Sequence, residues 1–226
     1  MITAPTLPER LAAVREGIAD AAHAAGRDPA GLTTVVVTKF HPASLVRELH
    51  ELGVRDVGES RHQEAQAKSA ELAGLGLRWH FVGQLQSKKA RQVRAYADVI
   101  HSVDRPSLVR ALATDAASVD CFVQVALDDD PGRGGVGIDE LDALAEQVAA
   151  TPGLNLLGVM AVAPLGEEPR RAFARLRGAS DRVRSIVPAA TAISAGMSND
   201  YAAAIAEGAT HLRIGSAITG NRPTRH

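Results

Sequence analysis

The sequence predicts an α/β fold, a single (β/α)8 barrel with one extra helix at the N-terminal end. Short β-branched runs alternate with Ala/Leu/Arg-rich helical stretches along the whole chain, and the alternation counts to eight. The length, 226 residues, also suits eight such units, which usually take about 250. Periodicity alone leaves a doubly wound open sheet as the alternative. No Pro/Gly/Ser linker and no break in composition divides the chain, so residues 1–226 read as one domain.

The elements follow in order. Residues 7–25 place Leu11, Val14, Ile18 and Ala22 at helical spacing ahead of the turn Gly26-Arg27-Asp28-Pro29. The run 33–38 is continuously β-branched between Gly31 and Pro42, as expected of a strand covered on both faces in a parallel sheet. Further strands are expected at 54–57, 78–82, 99–102, 121–126 and 156–161, with weaker ones at 191–194 and 211–214. Helical patterns fill the gaps at 44–52, 61–72, 87–97, 106–117, 138–150, 168–186 and 199–207.

Composition excludes several classes of function. Lys+Arg 25 against Asp+Glu 26 leaves a formal net charge of −1, which implies no polyanion and no membrane field. The basic run Lys88-Lys89-Ala90-Arg91-Gln92-Val93-Arg94 lacks interleaved aromatics and reads as a solvated helical face, so no nucleic-acid partner is expected. No apolar stretch approaches the ~20 residues of a membrane span, and the N-terminus has no secretory pattern. The single cysteine, Cys121, rules out a disulfide framework and a Cys-based zinc site, and no metal is expected. It reads as a small buried hydrophobe in a reducing cytoplasm.

Ligands of parallel α/β folds bind at the carboxyl ends of the strands. Lys39 stands there. Of only four lysines, against 21 arginines, Lys68, Lys88 and Lys89 fall in polar helical stretches, whereas Lys39 closes a buried strand. Desolvation at such a place favours an uncharged amine, a nucleophile or Schiff-base former. The plainer alternative is a strand-end lysine that snorkels into solvent or pairs with Glu59. The tail offers a second feature. Gly196 and Ser198 precede the helix expected from Asn199, and Gly215 and Ser216 follow the last strand. Together they would gather amides and two hydroxyls around an anion, the phosphate site that barrels often build after strands 7 and 8. Ordinary turn chemistry, with Ser198 as a helix cap, is the alternative. A phosphate cup facing an amine suits a phosphorylated aldehyde cofactor. His80 lies on a strand and reads as a hydrogen-bonded structural residue. The acidic, Gly-rich stretch 128–137 matches neither an EF-hand nor a Walker loop and reads as a mobile loop rimming the barrel mouth.

These residues carry a resemblance over about residues 7–222. The motifs Val36-Val37-Thr38-Lys39, Gly58-Glu59, His80-Phe81-Val82-Gly83-Gln84-Leu85-Gln86, Gly158-Val159-Met160, Gly196-Met197-Ser198-Asn199-Asp200 and Arg213-Ile214-Gly215-Ser216-Ala217-Ile218 resemble those of the pyridoxal 5′-phosphate (PLP) homeostasis proteins. That family shares the alanine racemase N-terminal barrel. The resemblance implies PLP as cofactor, held as an internal aldimine on Lys39. Ser198, Gly215 and Ser216 match its phosphate-binding positions, and Arg213 matches the arginine beside the pyridine nitrogen. A guanidinium stays protonated, so it should keep that nitrogen neutral and the ring a poor electron sink. The chain departs from the family pattern at Ser60, at Lys88 and at Thr219. With no catalytic residue assigned, the resemblance implies a PLP carrier that buffers or delivers the cofactor, partnered by PLP-dependent apoenzymes and acting as a monomer. A slow PLP-dependent racemase is the alternative, since the second base that racemases take from a further domain has no counterpart here.

Overall fold

The computed structural model describes residues 4–128, 130 and 132–220. Eight parallel strands close into one barrel in sequential order. After helix α1 (Leu7–Ala24) the chain runs β1 (Thr33–Val37), α2 (Ala43–Glu51), β2 (Asp56–Glu59), α3 (His62–Glu71), β3 (Arg78–Phe81), α4 (Ala90–Arg94), β4 (Val99–Val103) and α5 (Pro106–Leu112). It continues with β5 (Val119–Gln124), α6 (Leu141–Ala150), β6 (Leu154–Met160), α7 (Pro169–Ile186), β7 (Ala192–Ser194), α8 (Tyr201–Ala206), β8 (His211–Ile214) and α9 (Ser216–Thr219). Closure comes from the pairing of β1 with β8, Thr33 opposite His211 and Val35 opposite Arg213. The open sheet is thereby excluded.

The extra helix has a structural task. The eighth βα unit ends in α9, a single turn, too short to cover the barrel wall. Helix α1 lies against α8 and α9 and supplies the missing cover, burying Leu7, Leu11, Val14, Ile18 and Ala22. Its start is set by Thr6, whose backbone N–H and hydroxyl both donate to Glu9 Oε2, at 2.7 and 2.8 Å. Arg10 donates from Nε to the carbonyl of Ile218 at 2.6 Å and fastens α1 to the end of α9.

Several boundaries differ from expectation. The second strand was expected at 54–57 and lies at Asp56–Glu59. Val54 is apolar because it is buried in the core ahead of the ladder. The helix expected over 87–97 is a 3₁₀ turn, Ser87–Lys89, followed by the short α4. Stretch 128–137 is not a free rim. In its described residues Gln84 Nε2 donates to the Gly132 carbonyl and Gln124 Nε2 to that of Arg133, each at 2.8 Å, while Arg133 donates to Ala163 O at 2.8 Å. Asp129 and Pro131 lie outside the described residues. Cys121 is fully buried, and burial pushes its thiol up to about 12, in keeping with an inert core residue.

Candidate functional site

At the carboxyl ends of the strands the structure opens a pocket of about 610 Å³. Lys39, Ser198, Arg213, Gly215 and Ser216 all line it, and so does Ser60. Residues from both ends of the sequence meet there because β1 pairs with β8, so the turn after β1 faces the turn after β8.

Lys39 is not the buried lysine expected. Strand β1 ends at Val37, Thr38 turns inward and is fully buried, and Lys39 stands exposed at the mouth. Its ammonium lies 5.9 Å from the Phe40 ring centroid. Phe40 has φ +71°, a left-handed conformation that costs a bulky residue roughly 1–3 kcal/mol. The Phe40 N–H donates to Glu64 Oε2 at 3.0 Å and holds that turn, which presents Lys39 to the pocket.

The lysine that is buried is Lys68, on α3. Its Nζ donates to Glu59 Oε1 at 2.6 Å and to the Thr38 carbonyl at 2.9 Å, and the Thr38 hydroxyl donates to Glu59 Oε1 at 2.7 Å. Glu59 therefore pairs with Lys68 and not with Lys39. Burial raises the Glu59 carboxyl above its ordinary range despite Lys68 and Thr38. Sequence reasoning missed this pair, although Lys68 shares a helical stripe with Ala65 and Leu72.

The anion cup is assembled from the turns after β7 and β8. Ser198 does not cap α8, where Asp200 is the N-cap residue. Its hydroxyl accepts from the Ala217 N–H at 3.3 Å and joins the turn after β7 to α9. Among the described residues no acceptor is found for the amides of Gly215 and Ser216. A Cβ built on Gly215 would meet only Val37, at 3.7 Å. The protein's own contacts therefore leave open space beside the Gly215 backbone. Arg213 is buried, 5% exposed, and donates to Ser194 Oγ at 2.6 Å and to the Ala161 carbonyl at 2.8 Å. Desolvation lowers its guanidinium to about 10, partly offset by the charge of Asp200, so it stays cationic at neutral pH. Among the described residues it has no ion-pair partner. A free amine, a buried cation and unpaired amides on one wall form a donor set for a ligand with an anionic end and an acceptor atom.

His80 is structural, as expected. It is buried and bonded on both ring nitrogens, to Asp56 and to His101.

Comparison with known proteins gives the family. Residues 10–223 match the profile of the alanine racemase N-terminal domain. The pyridoxal phosphate homeostasis protein of Mycobacterium tuberculosis is 42% identical to this chain, over 97% of it and 94% of that protein. This chain belongs to the pyridoxal phosphate homeostasis protein family. A second relative of that name, from Pseudomonas aeruginosa, is 41% identical over 96% of both chains. Among solved structures, PipY of Synechococcus elongatus superimposes with a TM-score of 0.82 at 35% identity, covering 95% of this chain and all of that one. That structure has PLP bound. The alanine racemase N-terminal fold is the barrel described above, and in this chain α1 covers the side that the short α9 leaves open.

Proposed function

We propose that this chain binds PLP in the 610 Å³ pocket and serves its homeostasis, holding the cofactor covalently on Lys39 and releasing it to PLP-dependent apoenzymes. The observation that carries the reading is the meeting of Lys39 with Ser198, Gly215 and Ser216 around one cavity with Arg213 in its wall. Family membership supports it, as does the PLP-bound relative.

The residues fit the cofactor. PLP supplies an aldehyde that a primary amine converts to a carbon–nitrogen double bond with loss of one water. Lys39 would provide that amine, and the Ser198 hydroxyl with the Gly215 and Ser216 amides would hold the phosphate. Arg213 would donate to the ring nitrogen. Being charged at neutral pH, it has no vacant site for that nitrogen's proton, which keeps the ring a weak electron sink.

Carriage without turnover is also part of the proposal. Among the described residues, the ionisable groups lining the pocket besides Lys39 are Asp200 and Arg213. Asp200 is engaged by the Met197 N–H at 2.5 Å. Neither tyrosine lines the cavity: Tyr96 stacks on His62, and Tyr201 lies against Gly17 of α1. Among the described residues, Asp200 is thus the one carboxylate in the lining, and it is already committed to the Met197 N–H. The chain would act as a cytoplasmic monomer.

The test begins with an absorbance spectrum of purified protein mixed with PLP, then borohydride reduction and peptide mass mapping. A visible band trapped as a pyridoxyl adduct on Lys39 is the expected result, and Lys39→Ala should retain only weak noncovalent binding. Ser198→Ala should lose about 1–3 kcal/mol of affinity; equal affinity would move the phosphate elsewhere. An adduct mapped to Lys68, Lys88 or Lys89 would overturn the assignment of Lys39. Solvent deuterium exchange at Cα of an amino acid at ordinary enzyme rates, about 1–10³ s⁻¹, would overturn carriage without turnover.

A further inference from the structure

The barrel interior holds an apolar cluster of Val99, Phe122 and Met160, yet a line of polar side chains crosses it. It starts at Asp56, the first residue of β2, whose Oδ1 lies 2.9 Å from His80 Nε2. His80 Nδ1 is 2.9 Å from His101 Nε2, and His101 Nδ1 is 2.8 Å from Ser194 Oγ. Ser194 Oγ in turn accepts from Arg213 at 2.6 Å. Strands β2, β3, β4, β7 and β8 each give one residue. The line begins at the amino-terminal end of the barrel and ends on the guanidinium in the pocket wall.

Hydrogen-bond accounting sets its direction. His101 is fully buried, faces His80 and Arg78 of β3 and His211 and Arg213 of β8, and stays neutral because burial and these neighbours hold its pKa far down. It carries one ring proton. Placed on Nδ1, that proton would point at Ser194 Oγ, which already accepts from Arg213, and among the described residues the buried Ser194 hydroxyl proton would have no acceptor. Placed on Nε2, it lets every donor find a partner. Arg213 then donates to Ser194, Ser194 to His101, His101 to His80, and His80 to the Asp56 carboxylate.

We propose that Asp56, His80, His101 and Ser194 are positioning residues for Arg213. Ser194 has its own proton committed to His101, so it meets the guanidinium purely as an acceptor and fixes its plane. The Ala161 carbonyl holds the second amino group, and the remaining N–H groups are left for a ligand. The proposal rests on the PLP reading only for the ligand's identity. The positioning belongs to the chain itself.

The test is nitrogen-15 NMR of the full chain without PLP. His101 should show a protonated Nε2 and an unprotonated Nδ1, and the Arg213 amino groups should rotate slowly. Ser194→Ala should move His101 Nδ1 and speed that rotation roughly tenfold, and Ser194→Thr should restore both. Asp56→Asn, isosteric and at the half-buried end, should move the His101 resonances as well as those of His80, although it touches only the latter. A His101 proton on Nδ1, or unchanged Arg213 rotation in Ser194→Ala, would overturn the proposal. A PLP titration then separates the two readings. If the parent takes up PLP, Ser194→Ala should bind it several-fold more weakly with the Lys39 adduct still formed, and equal affinity would refute a role toward the ligand. If the parent takes up none while the NMR signatures hold, the cofactor assignment fails and the positioning stands.

Discussion

Glu59 and Lys68 show what a buried charge demands of its surroundings. Both are nearly inaccessible, at 1% and 6% exposure, and each was removed from water at a cost that only their mutual contact and Thr38 repay. Among the described residues Glu59 Oε2 still has no hydrogen-bond partner. Lys68→Met should therefore destabilise the protein by about 3–5 kcal/mol, since it strands the carboxylate. Adding Glu59→Gln should recover most of that loss. Urea unfolding of the two single variants and the double variant checks the claim, and strictly additive losses would sink it. The pair was invisible to local reading because its members lie on different elements. That Lys39, Ser198, Gly215 and Ser216 would line one pocket with Arg213 of β8 was legible because the first four follow strands and all parallel strands of a barrel end on one face. The line from Asp56 to Arg213 left only a trace in the sequence, polar residues placed inside otherwise apolar strands.

Helices are held to the barrel by stripes, and α1 meets α8 at one unusually close point. A Cβ on Gly17 would lie 2.4 Å from the Tyr201 hydroxyl. Glycine in a helix interior costs about 1 kcal/mol relative to alanine, so the position trades propensity for this approach. Gly17→Ala should destabilise the parent by about 1–3 kcal/mol, the usual toll of overfilling a core. In a Tyr201→Phe background, with the oxygen gone, the same change should stabilise by about 1 kcal/mol. A thermal-melt cycle in which Gly17→Ala has one sign in both backgrounds would refute the contact. The long helices were legible from their spacing, whereas α9 is one turn of four residues, too short to show any period. The early end of α5 at Leu112 has a local cause: Ala113 turns to ψ 139°, leaving Ala116 and Ala117, good helix formers by propensity, outside the helix.

As a whole, the molecule hides histidines. His211 is pulled down to about 4 by burial and by the charge of Arg78, and burial shifts His101 the same way. Between pH 6.5 and 4 the unfolded chain takes up protons that the folded chain refuses, so stability falls as pH falls. For His211 alone the loss approaches about 3 kcal/mol across that window. Glu59, with its carboxyl raised, acts in the opposite sense and blunts the effect. His211→Gln should reduce the slope of unfolding free energy with pH by up to about 1.4 kcal/mol per unit, and an unchanged slope would show that His211 does not refuse the proton. At the same scale stands the closing of the helical ring by α1. Its apolar stripe is made well before its partners α8 and α9, which begin at Tyr201 and Ser216. At roughly 5–20 residues per second, a ribosome spends about 10–40 s between them. During that time Leu7, Leu11, Val14 and Ile18 lack the α8 and α9 side of their seat, and a helix made early is completed in its packing only late.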